Sequence, residues 1–122
     1  MADEKLLSFI QQTLKSVWAL ELLLLLRNNP GKTWTGESLV RELRGSDNIV
    51  KTALAELKSA HLVKEPGPNH YLFAPATAEL NAMVDMVSQA YTDRPIAVIK
   101  AITGAPNEKL RVFSDAFKVR GR

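Results

Sequence analysis

The chain has 122 residues, 46% hydrophobic and 24% charged, a composition that gives room for one core and excludes fibrous, low-complexity and two-domain organisations. With no cysteine, it has no disulfide framework, thiolate metal site, iron–sulfur cluster or thiol redox switch. The net charge of +3 is unevenly placed: residues 1–106 hold 11 basic and 11 acidic side chains, and residues 107–122 hold 5 basic (Lys109, Arg111, Lys118, Arg120, Arg122) against 2 acidic (Glu108, Asp115).

The first predicted element is one long helix over Ser8–Asn28, apolar nearly all round at Phe9, Leu14, Val17, Trp18, Leu20 and Leu22–Leu26, and so buried on several sides. Asn28-Asn29-Pro30-Gly31 stops it. Its most apolar run, Val17–Leu26, spans ten residues and contains Glu21, whereas a membrane span takes ~20 apolar residues. Met1–Lys5 reads acidic first, unlike a secretory leader, so a cytoplasmic location is the expectation.

Lys32-Thr33-Trp34 favours a short strand. Thr35 then caps a helix over Gly36–Leu43, with Glu37 in the first turn, where the helix dipole favours an acid. Arg44-Gly45 closes it, and Ser46 caps the next helix, Asp47–Ala60, whose apolar positions Val50, Ala53, Leu54 and Leu57 recur at helical spacing. Two β-favouring runs, His61–Lys64 and Tyr71–Ala74, flank Glu65–His70 and predict a hairpin with a loop longer than two residues. Helical spacing returns beyond Pro75 at Leu80, Met83, Val84, Val87 and Tyr91. Pro95 suits the first turn of a further helix carrying Ile96, Ile99 and Ile102, and Asn107 caps a last short one with Leu110, Phe113 and Phe117.

Helix, short strand, helix, Gly-containing turn, helix, strand, loop, strand is a mainly α order with a small β-hairpin. The residues Gly31–Thr35, Leu39–Leu43 and Val50–Val63, in that order, resemble a winged helix-turn-helix bacterial transcriptional regulator of the MarR-like and PadR-like groups, over about residues 8–74. The later helices, with Asp93–Ile99 and Phe113–Arg120, are similar to the dimerisation helices of small stand-alone regulators. The implied division is a winged domain over 1–76, a helical dimerisation arm over 77–106 and a short basic helix or tail over 107–122. One departure is His61, where such regulators usually carry Gly, so that a non-Gly residue must bear or avoid the left-handed conformation.

The resemblance implies a homodimer on double-stranded DNA, with the helix after Ser46 in the major groove. Asn48, Lys51 and Thr52 are then the base-contacting candidates: Asn can pair with adenine, Lys can reach guanine or phosphate, and Thr can meet a thymine methyl. Arg44, Ser46, Lys64, His70, Lys118, Arg120 and Arg122 are the backbone-contacting candidates, and Leu22, Leu25, Met83, Val84, Val87, Ile96 and Ile99 are the dimer-interface candidates. Each has a plainer reading. Lys51 and Lys58 fit a solvated helix face, Arg41 and Arg44 fit surface charges paired with Glu37 or Glu42, and Trp34, Tyr71 and Phe73 fit core positions. The apolar later helices fit folding back on the same chain as well as dimerisation. Gly31–Ala74 holds six basic against five acidic residues, thin for phosphate binding by one domain alone.

No P-loop, GxGxxG, GxSxG or HExxH motif occurs, and the two histidines have no metal-ligand spacing, so no enzyme, metal or cofactor is expected. Met83, Met86 and Tyr91 fit plain core or seam before a small-molecule pocket. The rival functional reading is an adaptor, a winged-helix protein-interaction module with little or no DNA binding and a different protein as partner. Electrostatics discriminates, since a regulator needs a positive face around Asn48, Lys51, Thr52 and Arg44 that continues into the tail.

Overall fold

Ser16 divides what periodicity predicts as a single helix. In the computed structural model, which describes residues 2–104, the segment forms α1 (Ala2–Thr13) and α2 (Val17–Arg27), whose axes lie 105° apart. Ser16 is extended, with φ −157° and ψ 161°, and its hydroxyl accepts from the Ala19 N–H, so α2 has its own cap. Apolar positions run through the break because both helices face the core: Leu6, Leu7, Ile10 and Leu14 from the first side, Leu20, Leu22, Leu23 and Leu26 from the second.

The next elements fall where their caps predict. Strand β1 (Trp34–Thr35) leads into α3 (Gly36–Leu43), where Thr35 and Ser38 exchange side-chain-to-backbone hydrogen bonds in a capping box. Ser46 accepts from the Ile49 N–H at the start of α4 (Asp47–Ser59). At the turn between them the left-handed residue is Arg44, with φ 59°, rather than Gly45. Gly45 serves packing instead: a Cβ there would lie 3.3 Å from Cζ3 of Trp18.

His61 carries the left-handed conformation that its position demands, with φ 62°. The Leu62 N–H reaches the Leu57 carbonyl and the His61 N–H the Lys58 carbonyl, each at 3.0 Å, the double closure of a Schellman motif with Leu57 and Leu62 both buried. Strands β2 (Val63–Gly67) and β3 (His70–Phe73) follow, and the antiparallel sheet has the order β1-β3-β2. The hairpin turn is tighter than the sequence suggests. Gly67 pairs with His70, leaving only Pro68-Asn69 between them. Pro at the first position and Asn69 at φ 60° in the second suit a type II turn. Between the Lys64–Leu72 and Gly67–His70 pairs β2 has one residue more than β3, and this bulge accommodates Pro66, which has no N–H to give the ladder.

Helices α5 (Ala78–Asp93, capped by Thr77) and α6 (Pro95–Thr103, with Pro95 in its first turn) return to the body and pack on α1, and α6 also meets α2. The ion pair of Arg27 with Asp85 at 2.9 Å and the hydrogen bond from Tyr91 Oη to Glu21 at 3.0 Å tie α2 to α5. One core cluster runs from Leu6 to Ile102, so the helices expected as an arm over 77–106 share the core of residues 1–76. The architecture is mainly helical with a small three-stranded antiparallel sheet.

Candidate nucleic-acid interface

The 3.6-residue period of α4 gives it two faces. Val50, Ala53, Leu54 and Leu57 are buried, which turns Asn48, Lys51, Thr52 and Ala55 outward on the opposite side, all exposed. The three base-contacting candidates thus lie together on one solvent face. Ser46 and Arg44 are exposed just before it, Ser46 with its hydroxyl engaged as the cap.

The hairpin stands beside this helix and is tied both to it and to the start of α3. Glu65 accepts from Lys58 Nζ of α4 at 2.6 Å and from the Asn69 N–H at 3.0 Å. The hydrogen bond from Lys58 foremost, then that from the Asn69 backbone, lowers the Glu65 pKa; the same contact with Glu65 raises that of Lys58. Asn69 also accepts from the Gly36 N–H at 3.1 Å and donates to Glu37 at 3.2 Å, so the hairpin tip is fastened to the start of α3. Gly36 leaves room for that approach, because a Cβ would lie 2.9 Å from Asn69 Oδ1 and displace the amide. His70 Nδ1 lies 2.8 Å from the Pro68 carbonyl, which can only accept, so Nδ1 carries the proton. Lys64 projects from β2 into solvent, with no ion pair among the described residues.

Charge on this face is mixed. Lys51 lines a cleft of about 410 Å³ with Glu37 and Asp47, while Lys15, Arg44 and Lys64, outside that cleft, are exposed without an ion pair among the described residues. Lys58, by contrast, is neutralised by Glu65. Lys118, Arg120 and Arg122 lie outside the described residues, and with them the expected continuity of the tail with this face.

The dimer-interface candidates divide. Leu22, Val84 and Val87 are fully buried in the chain's own core and have no surface to offer a second copy. Periodicity marks apolar positions and is blind to which neighbour covers them. Leu25, Met83 and Ile99 are half-buried, and Ile96 is 64% exposed. Trp34 is buried with Lys32 Nζ 3.9 Å from its ring centroid, and Tyr71 and Phe73 pack half-buried on the core, as their plainer reading has it.

Trp18 and Ile49 reach this face without any sign of it in the apolar periodicity. Trp18, 37% exposed, borders a shallow apolar notch of about 260 Å³ with Ser16, Asn48, Ile49 and Thr52. Periodicity places Trp18 inside a continuous helix; Ser16 is the available signal, since a cap there makes Trp18 a first-turn residue. Among the described residues there is no group of three His, Asp or Glu side chains arranged to hold a metal ion, and no single helix long and apolar enough to cross a membrane. No family model, no curated protein and no solved structure matches the chain.

Proposed function

We propose that the chain is a winged helix-turn-helix transcriptional regulator that binds double-stranded DNA in the cytoplasm of a bacterial cell, α4 entering the major groove and the β2–β3 hairpin lying on the backbone. The observation that carries this reading is the joint exposure of Asn48, Lys51 and Thr52 on one face of a helix whose other face is locked into the core. A rigid helix presenting one amide, one ammonium and one hydroxyl has the donors and acceptors that base edges require. Arg44 and Lys64, cations without an ion pair among the described residues, flank it and suit phosphates. Binding, with no catalytic step, cofactor or metal, is the whole activity in this reading. A homodimer doubles the contact set on a palindromic site, and the exposure of Ile96, with Ile99 one turn along α6, supports a seam there.

The adaptor reading has one specific observation in its favour: Glu37 and Asp47 share the cleft with Lys51, and Glu65 cancels Lys58, which dilutes attraction for a polyanion. Fluorescence anisotropy with a labelled duplex of ~25 base pairs, at several salt concentrations, separates the two for the full chain and for the chain ending at Pro106. Binding that weakens with salt, and loses slope without the basic tail, supports the regulator. No binding at low salt removes it in favour of the adaptor.

A further inference from the structure

Trp18 and Ile96 are the two large hydrophobic residues that remain exposed among the described residues, and Trp18 opens on the side of the molecule assigned to DNA. Its ring is held in place. It leans on Gly45, where even a methyl group would come within 3.3 Å, so the turn between α3 and α4 seats the indole beside the first turns of α4. There Trp18 and Ile49 wall a notch closed by Ser16, Asn48 and Thr52. The notch is mainly apolar, and it interrupts a surface otherwise made of amide, hydroxyl, ammonium and carboxylate groups. Lys15 and Lys51, exposed and without an ion pair among the described residues, directly precede the lining residues Ser16 and Thr52, and Arg44 precedes Gly45 beneath the indole, against one exposed carboxylate, Asp47, beside Asn48.

A polyanion drawn to those three cations brings few apolar groups with it. In the major groove the apolar feature of an unmodified base pair is the C5-methyl group of thymine, adjacent to the adenine N6 and N7 that an Asn amide pairs with. We propose that the notch of Trp18, Ile49 and Thr52 receives a thymine methyl group while Asn48 reads a neighbouring adenine, making Trp18 a specificity-determining residue and A·T steps the sequence class of the site. This rests on the DNA-binding reading above, and it adds a residue from α2 to the reading surface of α4. Thr52 carries both a hydroxyl and a methyl group, so this side chain can turn its methyl into the mainly apolar notch and its hydroxyl toward the polar surface beside it.

The test uses the full chain and two alternating duplexes of ~24 base pairs, one of adenine and thymine, the other of adenine and uracil, which differ only in the C5-methyl group. Anisotropy competition at moderate salt is expected to show the uracil duplex binding about fourfold more weakly, the value of one buried methyl group. Trp18→Ala is expected to lower affinity for the thymine duplex to that of the uracil duplex, and Ile49→Ser to do the same from the other wall. Equal affinity of the unaltered chain for both duplexes overturns the notch and leaves DNA binding standing. Failure to bind either duplex at low salt overturns the DNA-binding reading itself, and the notch with it. Because the primary comparison uses the unaltered chain, a variant that fails to fold leaves that comparison intact.

Discussion

Lys51 is the side chain on which the DNA reading is most exposed to test. It is solvent-facing, has no ion pair among the described residues, and its neighbours Glu37 and Asp47 already weaken the local field. Lys51→Glu therefore replaces the cleft's one cation with a third carboxylate without touching the core. Duplex affinity is expected to fall at least about tenfold near 0.1 M salt, while thermal stability stays within about 0.5 kcal/mol of the parent, as surface substitutions generally do. Unchanged affinity removes α4 as the reading element. His61 gives a second residue-scale prediction, in the opposite direction. A left-handed non-glycine residue costs about 1–2 kcal/mol, and glycine returns about 0.5–1 kcal/mol of that through the entropy of the unfolded chain. His61→Gly is expected to stabilise the fold by about 0.5–1 kcal/mol, read as a rise of a few degrees in Tm; a fall in Tm contradicts the Schellman closure at Leu57–Leu62. The resemblance left open whether His61 bears or avoids the left-handed conformation; it bears it. That Arg44 rather than Gly45 takes the same conformation one helix earlier was not legible from sequence, because the demand on Gly45 comes from Trp18, 27 positions away in the chain.

At the scale of elements, boundaries were legible wherever a short hydroxyl side chain and a glycine or proline punctuate the pattern, as at Thr35, Ser46 and Pro95. They were illegible at Ser16, where apolar periodicity continues across a 105° bend because the helices on both sides face one core. The hairpin was legible as a hairpin, but its two-residue turn was hidden by a bulge that pairs part of the presumed loop. Its attachment through Glu65 carries a pH dependence. The Glu65 pKa is lowered below its ordinary 4.5 by the Lys58 and Asn69 hydrogen bonds, so its contribution is present above that value and is lost as pH falls through the folded pKa. The Lys58 pKa is raised above 10.5, so the pair is lost again as pH rises through that folded value. Both groups are solvent-accessible and the effect is screened by salt. The Asn69 amide proton, which donates to Glu65, is expected to follow the carboxyl titration by NMR with a midpoint below 4.5. Glu65→Gln is expected to erase that titration and free Lys58 for a phosphate, steepening the salt dependence of duplex binding by about one charge. An unchanged slope means that Lys58 faces away from bound DNA.

For the whole molecule, the question left by the sequence was how so many apolar helices cover themselves. Periodicity named Leu22, Val84 and Val87 as surface for a second copy; α1, α5 and α6 instead close on one another, and those three side chains vanish into one shared core. The fold-back reading thus accounts for most of the apolar surface that dimerisation was invoked to hide. What it leaves is Ile96, 64% exposed at the start of α6, with half-buried Ile99 on the same face. An isologous contact built on that patch repeats it across a two-fold axis, so a single substitution acts twice. Ile96→Lys sets two ammonium groups against each other at the centre of the seam and leaves each chain's core intact, since Ala97, Val98, Ala101 and Ile102 remain inward. Light scattering coupled to size exclusion is expected to give twice the chain mass for the parent and the chain mass for Ile96→Lys. Duplex affinity should fall with it, because two linked α4 helices become one and the effective-concentration gain of the second is lost. A parent chain that elutes at the mass of one copy and still binds duplex removes the dimer but keeps α4, and the fold-back core then explains why no second copy is needed to cover these helices.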